Sequence, residues 1–183
     1  IEVWVTNTTS NFENCRNIIA FTDLGEGKDE WIYNDLKVNP TSNIGKQYPD
    51  NYSNDMLSNM DENSIRSLNS VTSYLTSQGY TSGKDFEKLQ KARKLSPSEY
   101  VFNSKLGFIT LNINLNANQT LAVAYQYTVI GDDKVYQVGE FSDQSIADPN
   151  LLVTKLLKST TINTQMPMWD LMMKNVYNMR AYQ

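Results

Sequence analysis

Residues 108–116 alternate apolar and polar side chains, and this constrains the fold more than any other feature of the sequence. The segment is FITLNINLN, in which Leu111, Ile113 and Leu115 point to one side and asparagines point to the other. Successive side chains of a strand face opposite ways, so the pattern predicts a half-buried strand. Further strands are predicted at 1–6, 17–24, 121–130 and 134–141, and the last two form a hairpin through a short turn at 131–133.

Helical periodicity is found in the middle and at the end of the chain. Asp61 can cap a helix whose apolar residues recur every three or four positions over 65–75, with Gly79 placed to end it. A shorter helix is predicted over 84–94, and segment 151–158 fits either a strand or a helix. Pro167 begins a third predicted helix. Its apolar stripe consists of Trp169, Met172, Met173, Val176 and Tyr177.

Together these elements predict an α+β fold, a mainly antiparallel sheet with about three helices, in a single domain or fragment spanning 1–183. A long irregular region covers about 25–60, and loops of this length in compact domains are commonly functional. Ile1 stands directly in the first predicted strand, whereas a natural N-terminus usually has a few loose residues before it. We therefore expect a segment of a longer protein.

Composition narrows the possible chemistry. The chain has no histidine, which removes Ser-His, Cys-His and His-metal mechanisms from its own repertoire. Its single cysteine, Cys15, leaves no internal disulfide and no Cys-rich zinc site. The formal net charge of −4 disfavours nonspecific nucleic-acid binding. We predict no catalytic residue, no metal and no cofactor.

An acidic cluster at 23–30 is the strongest candidate for other chemistry. Asp23, Glu26, Asp29 and Glu30 could offer oxygen ligands to calcium, but their spacing fits no known calcium loop and Lys28 interrupts it. The same carboxylates could serve a histidine-free hydrolase, which would need a defined separation across a cleft. A solvated acidic turn is the favoured interpretation, and the hydrolase stays open as an alternative.

Aromatic side chains are the more suggestive feature of the irregular region. The chain has eleven tyrosines, and tyrosine and tryptophan are enriched at protein–protein contacts. We predict partner contacts at Trp31, Tyr33, Tyr48 and Tyr52. In an alternative interpretation, a free-standing surface binding module for a glycan or protein ligand, the same rings are stacking platforms.

Six segments together resemble the SprA (Sov) family of cell-surface and gliding-motility proteins of Bacteroidetes. They include IEVWVTN at 1–7, GYTSGKDFEKL at 79–89, LAVAYQY at 121–127 and PMWDLMMKNVY at 167–177. The remaining matches are the segment 64–70, the rest of 74–100 and the segment 135–141. The resemblance runs nearly from end to end and is weakest over about 26–62.

This resemblance implies a function in protein export. Members of the family form the outer-membrane translocon of the type IX secretion system, a very large β-barrel that releases folded cargo. It implies three kinds of partner: an outer-membrane barrel of PorV type, a plug protein, and secreted cargo with C-terminal secretion domains. The present segment would be a folded insertion of such a barrel, at the outer membrane and facing the cell exterior, with the periplasm as the alternative. The family has no catalytic residues.

Overall fold

The structure, a computed structural model, describes residues 1–25, 48–144 and 146–172. These residues form mostly strands with two α-helices, which confirms the α+β class. The strands are β1 (Glu2–Val5), β2 (Cys15–Phe21), β3 (Phe86–Lys94), β4 (Tyr100–Asn103), β5 (Phe108–Leu111), β6 (Leu121–Thr128), β7 (Val135–Val138) and β8 (Leu152–Lys158). The helices are α1 (Glu62–Arg66) and α2 (Val71–Ser77), with 3₁₀ helices at Leu57–Asn59 and Pro167–Leu171.

Five of the strands close into a small barrel, which the sequence did not predict. The order around it is β1, β3, β2, β8, β6, and β6 pairs again with β1. Neighbours are antiparallel except β2 and β8, which are parallel. β7 extends the sheet from β6, whereas β4 and β5 form a separate two-stranded ribbon. The prediction of an antiparallel sheet is therefore incomplete, because closure depends on the distant pairing of Glu2 with Ala124.

Much of β1, β2 and β8 is buried on both faces. Trp4, Ala92 and Leu156 belong to the interior cluster together with side chains of β2 and β6, and all three are fully buried. On one outer side, α1 and α2 cover a second cluster that includes Phe21 and Val153. On another side, the β4–β5 ribbon and the chain after it pack against Val3, Val5 and Val123.

The helix predicted over 84–94 is wrong, because this segment is strand β3. Phe86, Leu89 and Ala92 are all buried at intervals of three, which resembles one face of a helix. In the barrel, Phe86 joins the cluster beneath the helices, whereas Leu89 and Ala92 face the interior. Residues three apart in a regular strand face opposite ways. A bulge at Lys91 (φ 48°) places an extra residue between Leu89 and Ala92, so both side chains face the barrel interior.

The helix predicted across 61–75 is divided in two. Asp61 caps α1 as expected, with its carboxylate accepting the Ser64 N–H at 2.7 Å, and Gly79 (φ 84°) follows α2. The division occurs after Arg66, whose carbonyl accepts the Leu151 N–H at 3.0 Å and so bonds to the barrel instead of the next helical turn. Neither α-helix in the described ranges is long and apolar enough to cross a membrane.

The remaining predicted elements are confirmed in part or are described only in part. The strand predicted over 108–116 ends at Leu111, although Ile113 and Leu115 still pack against the barrel. Segment 151–158, predicted as a strand or a helix, contains the strand Leu152–Lys158. Of the terminal helix, only a 3₁₀ turn at Pro167–Leu171 is described, and its buried Met168 packs against the barrel interior. Met173, Val176 and Tyr177 lie outside the described residues. Of the about three predicted helices, one is divided into α1 and α2, one is strand β3, and the third is described only at Pro167–Leu171.

An ion pair fixes the turn between β3 and β4 and makes stability sensitive to acid. Arg93 contacts both carboxylate oxygens of Glu99 at 2.8 and 2.9 Å, and the Ser96 N–H donates to the same carboxylate at 2.9 Å. The hydrogen bonds from Arg93 lower the pKa of Glu99 to about 2. A folded pKa below the unfolded value means that the stabilisation is present above about pH 4.5 and is lost as the pH falls towards 2.

We expect Glu99→Gln to lower the free energy of unfolding by about 1 kcal/mol at pH 7 and to leave it nearly unchanged at pH 2. Urea denaturation at pH 2, 3, 4.5 and 7 measures the difference between the variant and the native chain. A difference that stays constant across this range would contradict the assignment to this ion pair.

Candidate interaction site

The predicted contact residues point to the segment 48–54, which lies beside the outermost strand of the sheet. The Asn51 N–H donates to the Gln137 carbonyl at 2.8 Å, and the Asn51 side-chain oxygen accepts the Gly139 N–H at 2.7 Å. The Gln137 N–H donates to Asp50 at 3.4 Å. Segment 48–54 therefore covers the free edge of β7 with its own backbone and side chains.

Tyr48, one of the four predicted residues, belongs to a cluster of tyrosines. Its ring packs edge-on against Tyr136 with centroids 5.2 Å apart. Tyr136 stacks with Tyr127 at 5.3 Å, and Tyr125 lies 6.1 Å further along β6. We call Tyr48, Tyr125, Tyr127 and Tyr136 the tyrosine cluster.

The hydroxyl groups at the centre of the tyrosine cluster are bound within the protein. The Tyr127 hydroxyl donates to the Pro49 carbonyl at 2.7 Å, and burial raises its pKa. The Tyr136 hydroxyl donates to Asp132, which raises the pKa of Tyr136 to about 12. Lys134 lies 4.6 Å from the centre of the Tyr136 ring. Both phenols therefore stay protonated at neutral pH, and their rings contribute contact area.

Of the other predicted residues, only Tyr52 is described, and it lies apart from the tyrosine cluster. Tyr52 exposes 71% of its surface and makes no described ring contact. Trp31 and Tyr33 lie outside the described residues. Sequence reasoning missed Tyr125, Tyr127 and Tyr136, although two signals were available: Tyr-Gln-Tyr at 125–127 alternates as a strand requires, and Tyr136 lies on its hairpin partner.

The acidic cluster predicted at 23–30 is described only at Asp23, which is buried, because Glu26, Asp29 and Glu30 lie outside the described residues. Among residues 1–25, 48–144 and 146–172, no group of three histidine, cysteine, aspartate or glutamate side chains is placed to hold a metal ion. Cys15 is half-buried and accepts a hydrogen bond from the Asn7 side chain at 3.4 Å.

Comparison with known proteins leaves the chain without an assigned family. The sequence matches no protein-family model and no curated protein. The interpretation of the tyrosine cluster therefore depends on its geometry. Two of its hydroxyls are bound internally and Tyr136 is buried, so the cluster primarily anchors the 48–54 segment to the β6–β7 hairpin.

We expect Tyr127→Phe to lower the free energy of unfolding by about 1 kcal/mol, since it removes the hydroxyl that binds Pro49 and retains the ring. Tyr52→Phe is the matched control and should change stability by less than about 0.5 kcal/mol, because Tyr52 is largely exposed. Thermal and urea unfolding of both variants measure the effect. Equal stabilities for the two variants would show that the Tyr127 bond contributes nothing.

Proposed function

We propose that this chain is a non-enzymatic domain of the outer-membrane translocon of the type IX protein secretion system, inserted between strands of the large barrel and capping or lining the exit of its pore. The proposal follows from the resemblance to the SprA (Sov) family. It includes the partners implied there: a PorV-type barrel, a plug protein, and cargo with C-terminal secretion domains. The domain would face the cell exterior.

One observation supports this proposal more than the others: the segments that resemble the family are neighbours in space. The segment 1–7 contains β1, which pairs with β6 in 121–127 and with β3 in 74–100. The segment 135–141 contains β7, which pairs with β6. Arg66, in 64–70, contacts Glu140, in 135–141. The segments therefore belong to one folded unit, as the proposal of a single inserted domain requires.

The charged side chains in the described ranges support a structural domain. Glu2 accepts hydrogen bonds from Lys94 at 2.9 Å and from the Ser142 hydroxyl at 2.7 Å. Glu140 binds Arg66 and also accepts the Val153 N–H at 2.7 Å. Glu2 and Glu140 thus fix neighbouring segments to the barrel, and a rigid structure of this kind suits a cap at the mouth of a pore.

The first test locates the domain in the full-length parent. Residues 8–14 form an exposed connection between β1 and β2, so an epitope tag inserted after Ser10 leaves both strands in place. Whole cells are probed with antibody before lysis, and the complex is then recovered through the tag. Surface labelling with recovery of a partner barrel and cargo supports the proposal. Recovery of soluble periplasmic proteins alone moves the domain to the inner side.

Recovery of no membrane component would overturn the proposal and favour the free-standing binding module. An inserted tag can itself block assembly, so secretion by the tagged strain is the control. Normal export of all cargo shows that the tagged parent is functional. A glycan array with the isolated 183-residue chain then tests the binding module directly, because a translocon cap should bind no sugar specifically.

A second test concerns the region predicted to contact partners. The Asp50 N–H donates to the Gly25 carbonyl at 2.9 Å, so the residues that flank 26–47 are adjacent. A short Gly-Ser linker can therefore span the gap that is left when 26–47 is removed. We expect the replacement to alter export or recovery of a partner while the parent stays at normal abundance. Unchanged export of every cargo would contradict a role for this region.

A further inference from the structure

Within the described residues, the separate β4–β5 ribbon leaves both of its edges uncovered, in contrast to the six-stranded sheet. Closure removes free edges from the barrel, and segment 48–54 covers β7. The Asn112 N–H donates to the Glu99 carbonyl at 2.8 Å, next to the paired Tyr100 and Leu111. Hydrogen-bonded and non-bonded pairs alternate in antiparallel strands. The peptide groups of Tyr100 and Phe102 on β4 therefore point outward, as do those of Ile109 and Leu111 on β5.

None of these outward groups has a hydrogen-bond partner in the part of the chain that the structure describes. The side chains beside β4 are also the more exposed. Val101 exposes 57% of its surface and Phe102 exposes 43%, whereas Ile109 and Leu111 are half-buried against the barrel. β4 thus combines unpaired backbone groups with exposed apolar side chains.

β4 is short, but it lacks the charge, the proline and the bulge that commonly protect an edge against strand pairing. Natural edge strands carry inward-pointing charges, proline or bulges that prevent another strand from adding. Lys105, in the turn, is the single charged residue within 100–111, and the segment contains no proline. The β7 edge of the same molecule is protected by Asp50 and Asn51.

We propose that the β4 edge accepts an extended, uncharged strand of a partner protein through main-chain hydrogen bonds. A row of N–H and C=O groups at strand spacing is complemented by another backbone, and pockets for alternate side chains then add specificity. The absence of acidic residues and the single lysine favour an uncharged strand with apolar residues at alternate positions. This interaction is independent of the location of the domain in the cell.

A second copy of the chain fits the edge less well. A strand of four residues is only about 13 Å long. Edge-to-edge pairing of two copies would bury far less than the roughly 1,200 Å² of a stable interface. A flexible peptide strand can instead pair along the β4 edge, with its side chains beside Val101 on one face and Phe102 on the other. It does not require two folded domains to approach each other. Its affinity as an isolated peptide is expected to be modest, with a Kd of about 0.1 to 1 mM.

The test is peptide binding to the 183-residue chain, followed by amide chemical shifts in NMR spectra. The probe is an acetylated and amidated octapeptide of alternating threonine and valine with a poly(ethylene glycol) tail. We expect it to shift the amides of Tyr100 and Phe102 and to slow their hydrogen exchange. The control peptide is N-methylated at every residue and therefore has no N–H on either edge. It should shift neither the Tyr100 amide nor the Phe102 amide.

Two proline variants make the test specific. Phe102→Pro removes an outward N–H of β4, a position where an edge strand tolerates proline, and should weaken binding about tenfold or more. Val135→Pro is the matched control. Val135 is 55% exposed, and its N–H points away from β6, as that of Gln137 does, so this variant should bind normally. Circular dichroism verifies that both variants are folded.

Three results would overturn the proposal. Equal binding of the native and N-methylated peptides would show that main-chain pairing is not involved. Exchange protection of Tyr100 and Phe102 without peptide would show that the chain covers its own edge. Concentration-dependent dimerisation that Phe102→Pro abolishes, measured by sedimentation, would assign the edge to a second copy.

Discussion

Replacing Trp4 with alanine should lower the free energy of unfolding by about 4 kcal/mol, the largest effect we expect for a single substitution. Trp4 is fully buried, and its ring lies in the interior cluster of the barrel with Ile18, Leu89 and Leu156. An interior enclosed by five strands cannot collapse around a void without disturbing their pairing. The cavity therefore adds to the lost transfer free energy. Urea denaturation monitored by circular dichroism gives the value.

Trp4→Phe should be much less costly than Trp4→Ala. The indole N–H of Trp4 is buried and has no hydrogen-bond partner among the described residues, so phenylalanine removes an unsatisfied donor while it retains most of the apolar ring. We expect a loss below about 2 kcal/mol. Val101→Ala is an exposed control and should be nearly neutral. A Trp4→Phe variant as unstable as Trp4→Ala would show that the full indole volume, and not its apolar area, determines the core.

Arg66→Met should lower the free energy of unfolding by about 3 kcal/mol, because it leaves Glu140 without its ionic partner in a largely enclosed position. The Arg66 guanidinium binds both oxygens of Glu140, one at 2.7 Å, and also donates to the Leu151 carbonyl at 3.0 Å. Both side chains are only 15% exposed. This pair holds α1 to the barrel between β7 and β8.

A double-mutant cycle separates the ion pair from the packing of its side chains. The double variant Arg66→Met with Glu140→Gln should lose less unfolding free energy than the two single variants lose in sum. Each single variant leaves one charge without its partner, whereas the double variant removes both charges. Glu62→Gln is the matched control. Glu62 approaches the same guanidinium at 3.6 Å but is 79% exposed, so its loss should change stability by less than about 0.5 kcal/mol. Strict additivity in the cycle would contradict a coupled Arg66–Glu140 pair.

Local patterns in the sequence identified several elements, and the remaining elements depend on distant contacts. The Asp61 cap and the β6–β7 hairpin follow from residues close together in the chain, and both are confirmed. Strand β3 has the sequence pattern of a helix because its buried residues recur every three positions. This spacing arises from a bulge and from burial on two different faces. Asn17 accepts the Lys91 N–H at 2.9 Å at that bulge, a contact across 74 residues that no local window contains.

The candidate site was predicted in part for the same reason. Tyr48 was selected because aromatic residues are scattered through the irregular region, and it does lie in an aromatic cluster. The other members come from strands β6 and β7, where alternating tyrosines suggest a sheet face and not a contact. The same reasoning selects Tyr52, but its ring is exposed to solvent. The path of the backbone around Asp50 and Asn51 explains why Tyr48 packs against the sheet and Tyr52 does not.

The closing of β1 onto β6 also has a consequence for how quickly the chain acquires its structure. β1 pairs with β3 and β6, so its partners lie roughly ninety and more than one hundred residues away, at Lys94 and Ala124. Folds dominated by such distant pairings lose much chain entropy before their contacts form, and they fold slowly. During synthesis, Val3, Trp4 and Val5 stay unpaired until those later segments have emerged. Over that interval the apolar side chains and unpaired backbone of the first strand are open to aggregation.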